Sequence, residues 1–271
     1  MSVEPPGAAA SLWTSLVEAR RLRLQAQGRW RDPVTFDGRG PEGLITEDGR
    51  KVVSFASDDF LGLSLHPAVM AAAHEALDRW GTGSGGSRLV AGSRPVHEEL
   101  ETALATWTGT ERAVVFPTEF AANLGVLGAF GDRGVRICVD EHNHAAIVDV
   151  PRLSQAEVAP YRHRDTEHLE RLLRDATGPA LVITDVVFPM DGDVAPVAEI
   201  AALCRRHGAL LVLDETRVVL GPDVTAQLAA EPAGADVLRV GSLGTTLASL
   251  GGYVAGSRAF IDLLVHRARS Y

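Results

Sequence analysis

Three short apolar runs in the sequence end on acidic side chains. Ile137-Cys138-Val139 ends on Asp140, Leu181-Val182-Ile183-Thr184 on Asp185, and Leu210-Leu211-Val212-Leu213 on Asp214-Glu215. Polar groups at the carboxyl ends of strands stand where an open α/β sheet gathers its ligands. Thr118-Glu119-Phe120 lies between the run ending at Phe116 and the next helical stretch. At such a junction, unpaired backbone N–H groups can hold a phosphate. Taken singly these are weak signals, because acidic strand ends and polar helix caps occur throughout α/β proteins. The two cysteines, Cys138 and Cys204, have neither zinc spacing nor the number for a disulfide framework. No metal site is expected from them, and both read as buried small hydrophobes.

The elements that must position these residues follow from the hydrophobic pattern. Apolar runs at Ala113–Phe116, Val135–Val139, Ala180–Thr184, Ala209–Leu213, Val237–Val240 and Gly252–Ala255 read as strands. Helical patterns near 121–130, 145–154, 166–175 and 196–207 lie between them. Alternation of this kind predicts an α/β domain with a mostly parallel central sheet and flanking helices. Upstream, residues 11–31 read as an amphipathic helix, with Leu12, Leu16, Ala19, Leu22 and Leu24 near helical spacing. A hairpin-like segment follows, turning at Glu47-Asp48-Gly49-Arg50 into a strand from Lys51 to Ala56. Helices are predicted over Pro67–Trp80 and Pro95–Trp107, separated by the glycine-rich break Gly81–Gly86. Two regions are expected: an N-terminal helix and hairpin segment over 1–55, and one large α/β domain over 56–271.

Composition narrows the function classes. Apolar residues make up 46% and charged residues 23% of the 271, as in a soluble globular protein. A net charge of −9 disfavours nucleic acid or an anionic membrane as the main partner. No stretch is long enough to span a bilayer, and the N-terminus lacks the pattern of a signal peptide. With so few cysteines, the expected compartment is the cytoplasm. Of the 26 basic residues, Lys51 alone is a lysine.

The order of the motifs is more specific than any one of them. Ser57-Asp58-Asp59-Phe60-Leu61-Gly62-Leu63-Ser64 is followed by Gly81-Thr82-Gly83-Ser84-Gly85-Gly86-Ser87-Arg88, then by Thr118-Glu119-Phe120-Ala121-Ala122-Asn123 and Asn143-His144-Ala145. Phe188-Pro189-Met190-Asp191-Gly192-Asp193, Asp214-Glu215-Thr216-Arg217, the segment Gly241–Gly252 and Ala268-Arg269-Ser270 complete the series. This succession, over roughly residues 15–271, resembles the α-oxoamine synthases. These are pyridoxal-phosphate-dependent transferases of fold type I that condense an amino acid with an acyl thioester and lose carboxylate. The resemblance implies the large domain of that fold, a dimer with active sites at its interface, and pyridoxal 5'-phosphate as cofactor. It also implies roles for particular residues: His144 stacking on the pyridine ring, Asp214 keeping the ring nitrogen protonated, and Thr118, Glu119, Phe120 and Ser242 around the phosphate.

The sequence departs from the family pattern where the chemistry is concentrated. Gly241-Ser242-Leu243-Gly244-Thr245-Thr246-Leu247-Ala248 aligns without a gap on the segment carrying the family's Schiff-base lysine, and Thr245 takes the lysine's place. A hydroxyl cannot form an imine or act as the amine base. Arg217 replaces a cofactor-contacting histidine, Pro189 a serine, Glu119 a phosphate-loop glycine and Asp58 a substrate-facing asparagine. A carboxylate at Glu119 suits the helix macrodipole but opposes a phosphate dianion. The resemblance further implies a small C-terminal domain, which is expected to be missing here. The first reading is therefore a catalytically silent homologue without covalent cofactor. It would be a non-catalytic partner in a homo- or heterodimer with a similar subunit, or a decayed remnant. The alternative is an active aminoketone-forming acyltransferase with unusual cofactor handling or a lysine supplied by its partner. In a third reading the chain is a repurposed binding module, in which Arg217 fills the vacated pocket and pairs with Asp214.

Overall fold

The computed structural model describes residues 11–144, 147, 155–219, 221, 223–229 and 234–271. The helix predicted near 145–154 lies, except for the buried Ile147, outside the described residues. Contacts group the chain into one compact unit ending at Ala56 and a second spanning Ser57–Tyr271.

In the first unit, helix α1 (Leu12–Ala26) starts where the Ser11 hydroxyl accepts from the Thr14 N–H, relieving one of the unpaired donors of its first turn. It ends at Ala26, short of the predicted 31. Strands β1 (Phe36–Gly38), β2 (Glu42–Ile45) and β3 (Arg50–Val53) form an antiparallel meander. The predicted turn closes β2 onto β3 through Gly49, whose φ of +68° is a conformation that a side chain would disfavour.

The second unit opens with a 3-10 turn (Leu63–Leu65) and helices α2 (Pro67–Trp80) and α3 (Pro95–Thr108). A proline at the first position of each helix needs no N–H there. The succession then runs β4 (Arg112–Phe116), α4 (Glu119–Phe130), β5 (Arg136–Asp140), β6 (Glu157–Tyr161), α5 (Thr166–Arg174), β7 (Ala180–Asp185), α6 (Val197–His207) and β8 (Leu210–Asp214). It closes with α7 (Val224–Ala229), β9 (Val237–Ser242), β10 (Gly252–Gly256) and α8 (Arg258–Arg267). Seven strands form one sheet in the order β4-β10-β9-β8-β7-β5-β6. β5 to β9 run parallel, and β10 is antiparallel to both β4 and β9. The predicted mostly parallel α/β architecture is the one observed. Strand β6 and helices α7 and α8 add to the predicted elements.

Strand alternation sorts the core into two faces. Ile137, Val139, Leu181, Ile183 and Val212 pack with Val126 and Leu127 of α4 and with Ile261 and Leu264 of α8. Cys138, Val182, Leu211 and Leu213 pack on the other face with Leu169 and Leu173 of α5 and Ile200 and Cys204 of α6. Both cysteines are fully buried and free, and burial pushes the Cys138 thiol up to about 12. Both faces being covered explains why these strands read as continuous apolar runs.

Candidate functional site

The same alternation decides which acidic strand ends can meet. Asp185 follows Ile183 and Asp214 follows Val212 by two residues, so both carboxyls leave the sheet on the α4 face. They are directly opposite in the β7–β8 register. Asp140 follows Cys138 by two residues and leaves on the opposite face. There it accepts from the backbone N–H of His142 and Arg164, and it meets His163 Nδ1 at 2.9 Å. Of the predicted acidic strand ends, two therefore converge and Asp140 diverges.

Helix α4 completes the cluster. Thr118 caps it, its Oγ1 accepting from Ala121 N–H at 3.0 Å, and Glu119 is its first residue. One turn on, at i+4 from Glu119, the fully buried Asn123 donates from Nδ2 to Glu119 Oε1 at 2.6 Å and to Asp214 Oδ2 at 2.9 Å. Asp214 Oδ1 accepts from Thr216 N–H at 2.9 Å, and Asp185 Oδ2 from His144 N–H at 2.6 Å. Asn143 holds the neighbouring backbone, accepting from Asp185 N–H and donating to the Ile183 carbonyl. Asn123 Oδ1 and Thr216 Oγ1 are buried without a hydrogen-bond partner among the described residues.

Three carboxyls in one desolvated space cannot all ionise at ordinary pH. Burial, reinforced by the charge of Asp214, pushes Glu119 up to about 8, and the same two causes push Asp185 up to about 8. Arg217 opposes both shifts from a distance. Among the described residues it forms no ion pair with Asp214, whose Oδ2 accepts from Asn123 Nδ2 and whose Oδ1 accepts from Thr216 N–H. That corrects the reading in which Arg217 pairs with Asp214.

The remaining predicted positions are distributed as follows. Thr245 is half-buried, and its Oγ1 donates to the Thr216 carbonyl at 3.1 Å, tying its loop to the strand end that carries Asp214. Ser242 Oγ accepts from Gly244 N–H at 3.0 Å, within the same loop. Phe120 is exposed on the first turn of α4. Pro189 lies in a turn closed by Phe188 N–H to Asp193 O and Gly192 N–H to Phe188 O. Asp58 is exposed in the second unit, whereas Lys51 lies on β3 of the first.

Two further groups carried no assigned role in the sequence. Asn123 stood inside a motif with no function of its own, and its spacing from Glu119 was the available signal. The second group is His163, which lies between Asp140 and Asp193 and stacks on His142 with ring centroids 4.2 Å apart. Burial works against its charge, but hydrogen bonds to the two carboxylates outweigh it and raise its proton affinity. Among the described residues, no group of three or more His, Cys, Asp or Glu side chains is arranged to hold a metal ion, and no helix is long and apolar enough to cross a membrane.

Residues 50–271 match the profile of the aminotransferase class I and II family. Among similar proteins, the 8-amino-7-oxononanoate synthase of Methylobacterium sp. (strain 4-46) is 49% identical over 229 residues, covering 83% of this chain and 58% of its own. That of Methylobacterium nodulans is 46% identical over 271 residues, covering 97% of this chain and 68% of its own. Among solved structures, the serine palmitoyltransferase of Sphingomonas wittichii superposes with a TM-score of 0.83 at 32% identity, over 98% of this chain and 68% of that one. A structure described as SPT with a PLP internal aldimine gives 0.84 at 28% identity, over 96% and 68%. The chain thus spans between about 58% and 68% of the length of these relatives.

Proposed function

The chain belongs to the aminotransferase class I and II family and, within it, to the α-oxoamine synthases, and from that membership we propose that it is a member unable to form the family's Schiff base, acting as a non-catalytic partner of a lysine-bearing subunit. The observation that carries this reading is Thr245. Thr245 lies in the segment that resembles the family's lysine-bearing motif, where this reading puts a hydroxyl in the lysine's place, and that hydroxyl is committed to the Thr216 carbonyl. In the family, pyridoxal phosphate supplies an electron sink for carbanion chemistry at an amino acid.

The residues present do not fit that group. No amine is available at Thr245 for an imine, and the Glu119 carboxyl lies at the start of α4, where a phosphate would need free N–H groups. No catalytic step is therefore assigned to Thr245, Arg217 or His144. On this reading Thr118, Phe120, Asp214 and Ser242 are what remains of the family's cofactor-binding positions. Acyl thioester and amino acid are substrates of the partner under this proposal. Two buried, unpaired thiols support a reducing compartment, the cytoplasm.

Two measurements test the proposal. The purified chain is incubated with pyridoxal phosphate, reduced with borohydride and mapped by peptide mass spectrometry; no covalent adduct is expected beyond non-specific trapping at Lys51 and the N-terminal amine, which the count of adducts leaves out. It is then co-expressed with a lysine-bearing 8-amino-7-oxononanoate synthase, and a stable mixed complex is expected on size exclusion with light scattering. A stoichiometric adduct on the isolated chain, or aminoketone formation by the chain alone, overturns the assignment. Absence of any mixed complex overturns the partner role.

A further inference from the structure

We propose that Glu119 is the residue that closes this cleft to phosphorylated pyridine ligands, its side chain reaching from the first turn of α4 to Asp214 and occupying the ground such a ligand would need. The inference rests on the functional assignment above and adds how Glu119 is held in place and that it opposes both ends of the ligand.

Three observations carry it. The backbone of Glu119 is pinned: a Cβ on Gly252 of β10 would fall 2.5 Å from both its N and its Cα, so the strand lies hard against the first turn of the helix. The carboxyl is held at its far end, because the single Nδ2 of Asn123 donates to Glu119 Oε1 at 2.6 Å and to Asp214 Oδ2 at 2.9 Å. The amide is committed to this bridge, leaving the fully buried Asn123 Oδ1 unpartnered among the described residues.

In either protonation state the result is exclusion. An ionised Glu119 would place a negative charge against a phosphate dianion on the α4 N–H groups. A protonated Glu119 is placed to donate to Asp214, the acceptor that a protonated ring nitrogen would require. Glu119 thus competes with both ends of the ligand, its phosphate and its ring.

The test is non-covalent binding of pyridoxal phosphate to the full chain, by equilibrium dialysis with absorbance, in wild type, E119A and E119Q. Thermal melting confirms that each variant is folded. E119A is expected to bind at least tenfold more tightly than wild type. E119Q keeps the side chain's shape and can still donate to Asp214, so it is expected to stay within threefold of wild type. Equal affinity of wild type and E119A, whether measurable or undetectable, overturns the proposal, as does E119Q binding as tightly as E119A. Should E119A not fold, E119G carries the same comparison, glycine being tolerated at a helix start. Borohydride trapping reports separately on the Schiff base, so an adduct on wild type would count against the functional assignment without deciding the role of Glu119.

Discussion

Asp185 and Asp214 stand opposite each other at the paired ends of β7 and β8, on the one sheet face that α4 covers. Burial, reinforced by the charge of Asp214, raises the proton affinity of Asp185, and the same two causes raise that of Glu119 on the helix side. A carboxyl whose folded pKa lies above its unfolded value contributes stability below the unfolded value. That contribution is lost as pH rises through the folded one. Between about pH 4.5 and 8 the protein is therefore expected to become less stable as pH increases. Urea midpoints at pH 5.5, 7.0 and 8.5 should fall in wild type and flatten in E119Q/D185N, whose amides mimic the protonated acids. His163, raised by Asp140 and Asp193, adds a loss of the same sign above its ordinary range, so H163Q serves as the separate control. Equal slopes in wild type and E119Q/D185N would remove the carboxyl cluster as the cause.

Placing a lysine in the loop should not by itself suffice for imine formation. T245K supplies the amine but leaves the Glu119–Asn123–Asp214 bridge in place. T245K alone is expected to yield at most a tenth of the borohydride-trapped adduct given by T245K/E119A, read by intact mass. The substitution also breaks the Thr245 hydroxyl bond to the Thr216 carbonyl, a loss of about 1 kcal/mol. Equal adduct in the single and double variants would show that the lysine alone limits attachment.

Beside Asp214, Glu215 serves structure. Its two oxygens accept from Arg239 Nε and Nη2 at 2.5 and 2.7 Å, and Arg239 also reaches the Thr108 carbonyl and, at 2.9 Å, the Thr225 hydroxyl. Both side chains are almost wholly buried. Removing one charge leaves the other uncompensated in a low dielectric, so E215Q should lose about 3–5 kcal/mol in urea unfolding. E215L/R239M should lose substantially less, since it removes both charges together.

Gly252 is the tightest backbone approach in the cluster. G252A forces β10 away from the first turn of α4 and should cost about 1–3 kcal/mol, as overpacking does elsewhere. Because that turn carries Glu119, the variant should also weaken the Asn123 bridge, read as faster exchange of the Asn123 side-chain amide protons by NMR. Unchanged stability and exchange would mean that β10 yields instead of the helix.

Much of the fold could be read in advance because its strands are covered on both faces. Ile137–Val139, Leu181–Thr184 and Leu210–Leu213 form continuous apolar runs with acidic stops, and few other structures give that pattern. β6 was missed because only one of its neighbours is a strand: Val158 is partly exposed and Pro160 breaks the local signal. In the site, motif order singled out Thr245 and Asp214 but not what would hold them. Which carboxyls meet depended on strand parity and partner strands, so Asp140 could not be separated from Asp185 by sequence position alone. The role of Asn123 needed Glu119 and Asp214 to be adjacent in space although 95 positions separate the helix start from the strand end.

β6 is the last strand of the seven-stranded sheet, and one of its five residues, Pro160, has no N–H. An edge of that kind makes a poor template, because an incoming chain meets a gap in the row of donors it must match. Open parallel sheets are otherwise vulnerable to edge-on growth into aggregates. Here the proline leaves a gap in the donors on that side, so what looks like a broken strand signal makes the edge a poorer template for unwanted polymerisation.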